Sequence, residues 1–278
     1  MTQILTLRTE SAIVQVSDRR VTHPGGRFTD IDNKAVVYLS LAAYGYTGDA
    51  EVGGRTDRWM TEVLAPTAGL GDGVNALKDA ATAAFRTRPS TLAIVGAGWD
   101  PKADGTFRPF YIVISNYVAN QLPRTGGPAK LREAYAVMTP GPRRAAFDWY
   151  GVEMQPWMSC LLYVAGQYLR QRRLPMLLRN IRHALDRHAE PLALVRILAT
   201  EIWHTAANND GVGKSLMAVC VPHAAARTSG PVELVSGPPS ENRITALYLA
   251  GPSADPTYYM PNLAGAGACF TDATVEPS

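Results

Sequence analysis

The apolar residues of this chain change period in blocks, and that order restricts the possible folds more than any other feature. Ile4-Leu5-Thr6-Leu7 and Ala12-Ile13-Val14-Gln15-Val16 are β-branched runs flanking the polar Arg8-Thr9-Glu10, which predicts two antiparallel strands and a tight turn. After the turn signal His23-Pro24-Gly25-Gly26, the runs Ala35-Val36-Val37-Tyr38-Leu39 and Leu41-Ala42-Ala43-Tyr44 predict a second hairpin ending at Gly45. The period then becomes helical. Asp49 can cap a segment in which Val52, Thr56, Trp59, Met60 and Val63 recur at spacings of three and four before Pro66, and a second helix is expected over about 72–85, closed by Pro89. Strand character returns at 92–96 and 110–114, with Gly96-Ala97-Gly98 read as a turn and a polar turn over 100–105.

From 157 to 208 helices are expected: one on Leu161, Val164, Ala165 and Tyr168, a second on Leu177, Leu178, Ile181 and Leu185, and a third after Pro191 on Leu194, Ile197, Leu198 and Ile202. Residues 216–221 and 244–249 are strands again. The stretch 116–155, rich in Pro, Gly and Arg, is expected to be irregular but packed. The order is therefore sheet, helices, sheet, helices, sheet, with no internal repeat. Strands and helices do not alternate singly as in a doubly wound fold, so antiparallel hairpins covered by helix pairs are the better assignment: an α+β fold, as a four-layer αββα sandwich. Residues 2–250 form one domain with an irregular insertion near 116–155, and 251–278 a C-terminal extension. The Pro- and Gly-rich tail over 237–278 either wraps a neighbouring subunit or covers the molecule's own sheet.

Composition removes several classes. The 278 residues are 46% hydrophobic and carry 27 Lys and Arg against 24 Asp and Glu, a net +3 with no basic stripe of the kind that marks a nucleic-acid or acidic-membrane binder. Cys160, Cys220 and Cys269 lie far apart without paired spacing, which fits a reducing, cytoplasmic setting. No apolar run approaches the roughly 20 residues a membrane helix needs.

Three motifs are decoys. Gly211-Val212-Gly213-Lys214-Ser215 ends like a phosphate-binding loop, but Asn208 stands at the first glycine position and a strand follows where a helix is required. Gly96-Ala97-Gly98 lacks the third glycine and the helix of a dinucleotide site. His183 and His188 are five apart with no glutamate partner, so no catalytic metal is expected.

Thr2, Asp18 and Lys34 are sixteen and sixteen residues apart, each at an edge of the strand pattern, and alternating strands of this length can bring all three to one end of a sheet. A threonine hydroxyl is a weak nucleophile, but as first residue its own α-amine can take the proton. Initiator methionine is readily removed before a small residue, so loss of Met1 exposes that amine. Lys34 then supplies positive charge, Asp18 holds the lysine, and the backbone N–H of Gly45 is a candidate oxyanion donor. Each of these residue types at such a place is also ordinary surface furniture.

The run Ile13-Val14-Gln15-Val16-Ser17-Asp18-Arg19-Arg20-Val21-Thr22, then Asn33-Lys34, then Tyr44-Gly45-Tyr46-Thr47-Gly48-Asp49-Ala50 resembles the start of proteasome β-type subunits and their bacterial relatives. Residues 94–100 are similar to a later strand and turn of that family, and Asn209-Asp210-Gly211-Val212-Gly213 to the loop whose aspartate supports its active site. Gly213 stands where that loop usually has serine, and no glycine-serine-glycine segment is evident. The resemblance implies the N-terminal nucleophile hydrolase sandwich, a catalytic set of Thr2, Asp18 and Lys34 supported by Gly45 and Asp210, and no cofactor. It also implies a threonine-type endopeptidase acting on peptide or unfolded protein in a ring of its own copies, with an ATP-dependent unfoldase undetermined. Arg19 and Arg20 are expected to be structural. A non-catalytic ring or scaffold subunit of the same fold, and an amidohydrolase acting on a small molecule, are the alternatives.

Overall fold

A computed structural model describes residues 2–22, 26–30, 32–87, 90–117, 124–125, 133–137, 143–153, 160–167, 169, 172–223 and 244–271. The expectations placed on Met1, the turn at 23–25, Pro89, Tyr168 and the tail at 237–243 and 272–278 lie outside these residues. In chain order the strands are β1 (Gln3–Thr9), β2 (Ala12–Asp18), β3 (Val21–Thr22), β4 (Phe28–Thr29), β5 (Ala35–Tyr38) and β6 (Ala42–Gly48), followed by helices α1 (Thr56–Leu64) and α2 (Leu70–Ala84). Next come β7 (Leu92–Pro101), β8 (Phe107–Tyr117), β9 (Arg124–Thr125), β10 (Glu133–Val137), β11 (Arg143–Glu153), β12 (Cys160–Gly166), α3 (Leu174–Asp186) and α4 (Pro191–Ala206). The chain closes with β13 (Leu216–Pro222), β14 (Thr245–Leu249), β15 (Thr257–Tyr259), β16 (Asn262–Gly265) and β17 (Ala268–Phe270).

Two large sheets result, in the orders β15-β14-β13-β2-β1-β12-β10-β9 and β11-β8-β7-β6-β5-β16-β17, with β3 and β4 forming a small separate ribbon. Strict alternation assigns side chains to faces. In β12, Leu161, Tyr163 and Ala165 join Ile4, Met217 and Val219 of the first sheet and Val37, Ala93, Val95 and Val113 of the second in one buried cluster. The intervening Cys160, Leu162 and Val164 pack instead with Leu177 and Ile181 of α3 and Leu194, Leu198 and Ile202 of α4. On the second sheet, Val36, Tyr44 and Ile94 point the opposite way, onto Met60 and Leu64 of α1 and Val74 and Leu77 of α2. Burying each such side chain contributes about 1.5–3 kcal/mol, so the amphipathic helices are held mainly by these faces. None of the described helices is long and apolar enough to cross a membrane.

Three sequence expectations are corrected. Residues 160–166 are a strand, where Leu161, Val164 and Ala165 suggested a helix. Both faces of β12 are buried, so its apolar run is continuous and its period of two is invisible. Gly96 and Gly98 lie inside β7: a Cβ on Gly96 would fall 2.4 Å from Tyr44 Cε1, and one on Gly98 2.5 Å from Phe110 Cζ. These glycines make room for rings on neighbouring strands rather than turning the chain, and the turn follows at Lys102, whose N–H donates to the Thr106 carbonyl. Within 116–155, β9, β10 and all of β11 are strands, β11 with a register shift between Arg143 and Asp148. After residue 250, β15 extends the first sheet and β16 pairs in parallel with β5 of the second, so of the two alternatives for the tail its described part takes the one in which it associates with the molecule's own sheets.

Candidate active site at the start of the first strand

β1 and β2 pair antiparallel with Ile4 opposite Ser17, a register that sets residue 3 beside Asp18. Lys34 immediately precedes β5 of the other sheet, and the Asn33 side chain accepts from the Ala35 N–H at 3.1 Å, shaping the chain just before that strand. Lys34 is anchored further where its own N–H meets Met217 Sδ at 2.9 Å.

The three residues converge. Lys34 Nζ donates to Thr2 Oγ1 at 2.6 Å and to the Arg20 carbonyl at 2.5 Å, and lies 3.6 Å from Asp18 Oδ1. Thr2 is 5% exposed, Lys34 1% and Asp18 0%, so the charges interact with little screening. Asp18 accepts three backbone N–H groups: Gln3 at 2.6 Å on Oδ2, and Arg20 at 2.9 Å and Gly213 at 3.3 Å on Oδ1. Burial pulls the Lys34 ammonium below its ordinary 10.5, opposed by the negative charges of Asp18 and Asp32. The three directions taken by Nζ, two hydrogen-bond acceptors and one carboxylate, match the three protons of the charged form.

Gly45 and Asp210 are placed differently. Gly45 lies within β6, between Ala35 and Val95, and a Cβ there would come 2.9 Å from Gln15 Oε1. A side chain there would point at Gln15 of the other sheet, and no hydrogen bond among the described residues joins Gly45 to Thr2. Asp210 reaches the site indirectly: its backbone carbonyl accepts from Arg20 Nη1 at 2.5 Å, and Arg20 also forks onto Asp30 at 2.7 and 2.8 Å. That agrees with a structural part for Arg20, whose own carbonyl holds Lys34.

The residues missed by sequence reasoning are Gly166 and Gln167, at the end of β12. The Gln167 N–H donates to the Thr2 carbonyl at 2.9 Å, and the Gln167 carbonyl accepts from the Gln3 side-chain amide at 3.0 Å. Gly166 has φ 76°, and a Cβ there would fall 1.9 Å from the Thr2 carbonyl oxygen. Reading 160–166 as a strand would have drawn attention to a glycine at its end. Gly166→Ala is therefore expected to cost about 2–3 kcal/mol through strain and collision, seen as a lower urea midpoint. An unchanged midpoint would show that the Thr2 carbonyl is not held against Gly166. Behind Gln167 opens a polar cleft of about 290 Å³ with the Arg173–Glu201 ion pair and His204 in its wall.

No protein-family model matches this sequence, and no curated protein matches it. Among solved structures the chain is similar to a Gly-1 mutant of Anbu from Hyphomicrobium sp. strain MC1, at 12% identity and a TM-score of 0.47 over 80% of this chain and 82% of that one. It is also similar to Anbu, described as an ancestral beta-subunit, from Yersinia bercovieri, at 12% identity and a TM-score of 0.46 over 79% and 82% of the two chains.

Proposed function

We propose that this chain is a threonine-type hydrolase of the proteasome-like, N-terminal nucleophile kind, acting on peptide bonds. The two helix pairs and two sheets are read as four layers in the order αββα. The observation that carries the proposal is the buried ammonium of Lys34 at 2.6 Å from the Thr2 hydroxyl, held by an aspartate with no exposed surface. A surface threonine and lysine have no reason to be buried together, because desolvating an ammonium is costly unless it is paired.

With Met1 removed, the neutral α-amine of Thr2 takes the hydroxyl proton as Oγ1 attacks the amide carbonyl, forming the C–O bond and a tetrahedral oxyanion. The amine then passes that proton to the departing nitrogen as the C–N bond breaks, leaving an ester on Thr2. Water, deprotonated by the same amine, attacks the ester, and the proton returns to Oγ1 as the acid leaves. Lys34 lowers the proton affinity of the amine and stabilises negative charge growing on Oγ1, while Asp18 fixes the lysine. The same assignment implies assembly of copies into a ring that shields the nucleophile from folded proteins.

The test is the intact mass and N-terminal sequence of the purified protein, followed by labelling with a β-lactone. The expected result is a chain beginning at Thr2 that carries one acyl adduct there, with no labelling of Thr2→Ala. Retention of Met1, or an unlabelled Thr2, would overturn catalysis and leave the scaffold subunit as the better account. A labelled monomer that turns over only small amides would favour the amidohydrolase.

A further inference from the structure

The sequence expectation of unclustered basic charge fails at one place. Residues 172–188 contain five arginines and two histidines against the single acid Asp186, and so carry more positive charge than the net +3 of the whole chain. Folding concentrates it further. Leu177, Ile181 and Ala184 of α3 are buried, so Arg172, Arg179, Arg182, His183 and Arg187 are exposed on the outside, with Met176 44% exposed among them. Met176, Arg179, His183 and Arg187 follow at intervals of three, four and four, which places them on one helix face. Arg173 is not part of the stripe, since Glu201 of α4 ties it down through two nitrogens, at 3.0 Å and 2.8 Å.

We infer that this stripe is a docking surface for an acidic helical segment of another polypeptide. Arg172, two residues before α3, Arg179 on it and Arg187, one residue after it, are seven and eight residues apart in the chain and are spread along a helix of roughly 20 Å at about 1.5 Å per residue. A second helix lying alongside repeats its own face at the same interval, so glutamates at i, i+7 and i+15 each meet one guanidinium, whose planar fork suits a carboxylate. The side-by-side packing of α3 and α4 on the sheet keeps α3 from projecting into a groove of duplex DNA. The apolar face of α3 is spent on the sheet and is not free to enter a bilayer.

Among the described helices none supplies the complement. Glu62 of α1 is paired with Arg58, and α2 offers Asp72 and Asp79, the latter already paired with Lys78 and followed seven residues later, just past the end of α2, by Arg86. The occupant we assign is a different chain, with an apolar side chain placed to meet Met176.

The probe is a labelled helical peptide with three glutamates at i, i+7 and i+15, titrated into the full-length protein and followed by anisotropy at low ionic strength. Binding is expected to weaken at least about tenfold in Arg172→Glu/Arg179→Glu/Arg187→Glu, and to be unchanged in Arg86→Glu. It should fall with added salt, and a peptide of the same composition with its glutamates adjacent should bind more weakly. Equal binding of the two peptides, or no loss in the triple variant, would overturn the inference. So would tighter stripe-dependent binding of a short DNA duplex or of phosphatidylserine vesicles, or self-association of the protein that the triple variant abolishes. The corresponding Arg→Gln triple variant, which removes charge without reversing it, should give an intermediate loss if the contact is ionic.

Discussion

Lys34→Ala is expected to lower kcat/KM for a peptide amide by about 10³-fold, or about 4 kcal/mol of transition-state stabilisation, while the chain still folds. The size follows from two functions lost together: a charge-assisted donor 2.6 Å from the attacking oxygen, and the positive charge that keeps the neighbouring amine unprotonated. Folding survives because Asp18 keeps three backbone N–H partners after the ammonium has gone. The pH profile separates the two functions. Below the pKa of the α-amine, at or under about 7.7, the base is protonated and activity falls. On the alkaline side activity falls as Lys34 loses its proton, and because burial lowers its pKa, that limb lies below 10.5. In Lys34→Ala the residual activity should lose the alkaline limb and shift the acid limb upward, as the amine no longer faces a cation. An unchanged profile would mean that Lys34 is only a structural ion.

Much of this arrangement was legible in the sequence because it is local. The β1–β2 hairpin needs only two β-branched runs and a polar turn, and once its register is set Asp18 must sit near residue 3. Lys34 was found for the same reason, by its place just before a strand. What was hidden depends on contacts between distant segments. β12 enters beside β1 from 157 residues further along the chain and brings Gly166 and Gln167 to Thr2, but its doubly buried, unbroken apolar run carries no sign of period. Gly45 follows an apolar run, which suggests the end of a strand, yet β6 continues to Gly48 and leaves Gly45 inside the ladder. For Asp210 the resemblance implies support of the site, and the link the structure gives is its backbone carbonyl, which Arg20 grips; backbone partners leave no mark on residue type. The arginine stripe on α3 was visible in the sequence and was averaged away by reading charge over the whole chain.

Asp18→Ala should be the most destabilising of the substitutions at this site, by about 3–5 kcal/mol in equilibrium unfolding. The asymmetry with Lys34→Ala comes from what each change leaves behind. Removing the lysine leaves a carboxylate that is still hydrogen-bonded. Removing the aspartate leaves a buried ammonium without its counter-ion, together with the N–H groups of Gln3, Arg20 and Gly213 deprived of their acceptor in a site with no exposed surface. Linkage gives a further sign. Between its lowered folded pKa and 10.5 the unfolded chain holds the Lys34 proton more tightly, so stability attributable to this lysine rises with pH across that interval. Without Asp18 the folded pKa drops further, and the interval widens toward neutral pH. The double variant Asp18→Ala/Lys34→Ala should therefore be more stable than Asp18→Ala alone, because the stranded charge has gone. If instead the two losses simply add, Lys34 is not held by Asp18, and the ion pair at 3.6 Å has no energetic meaning.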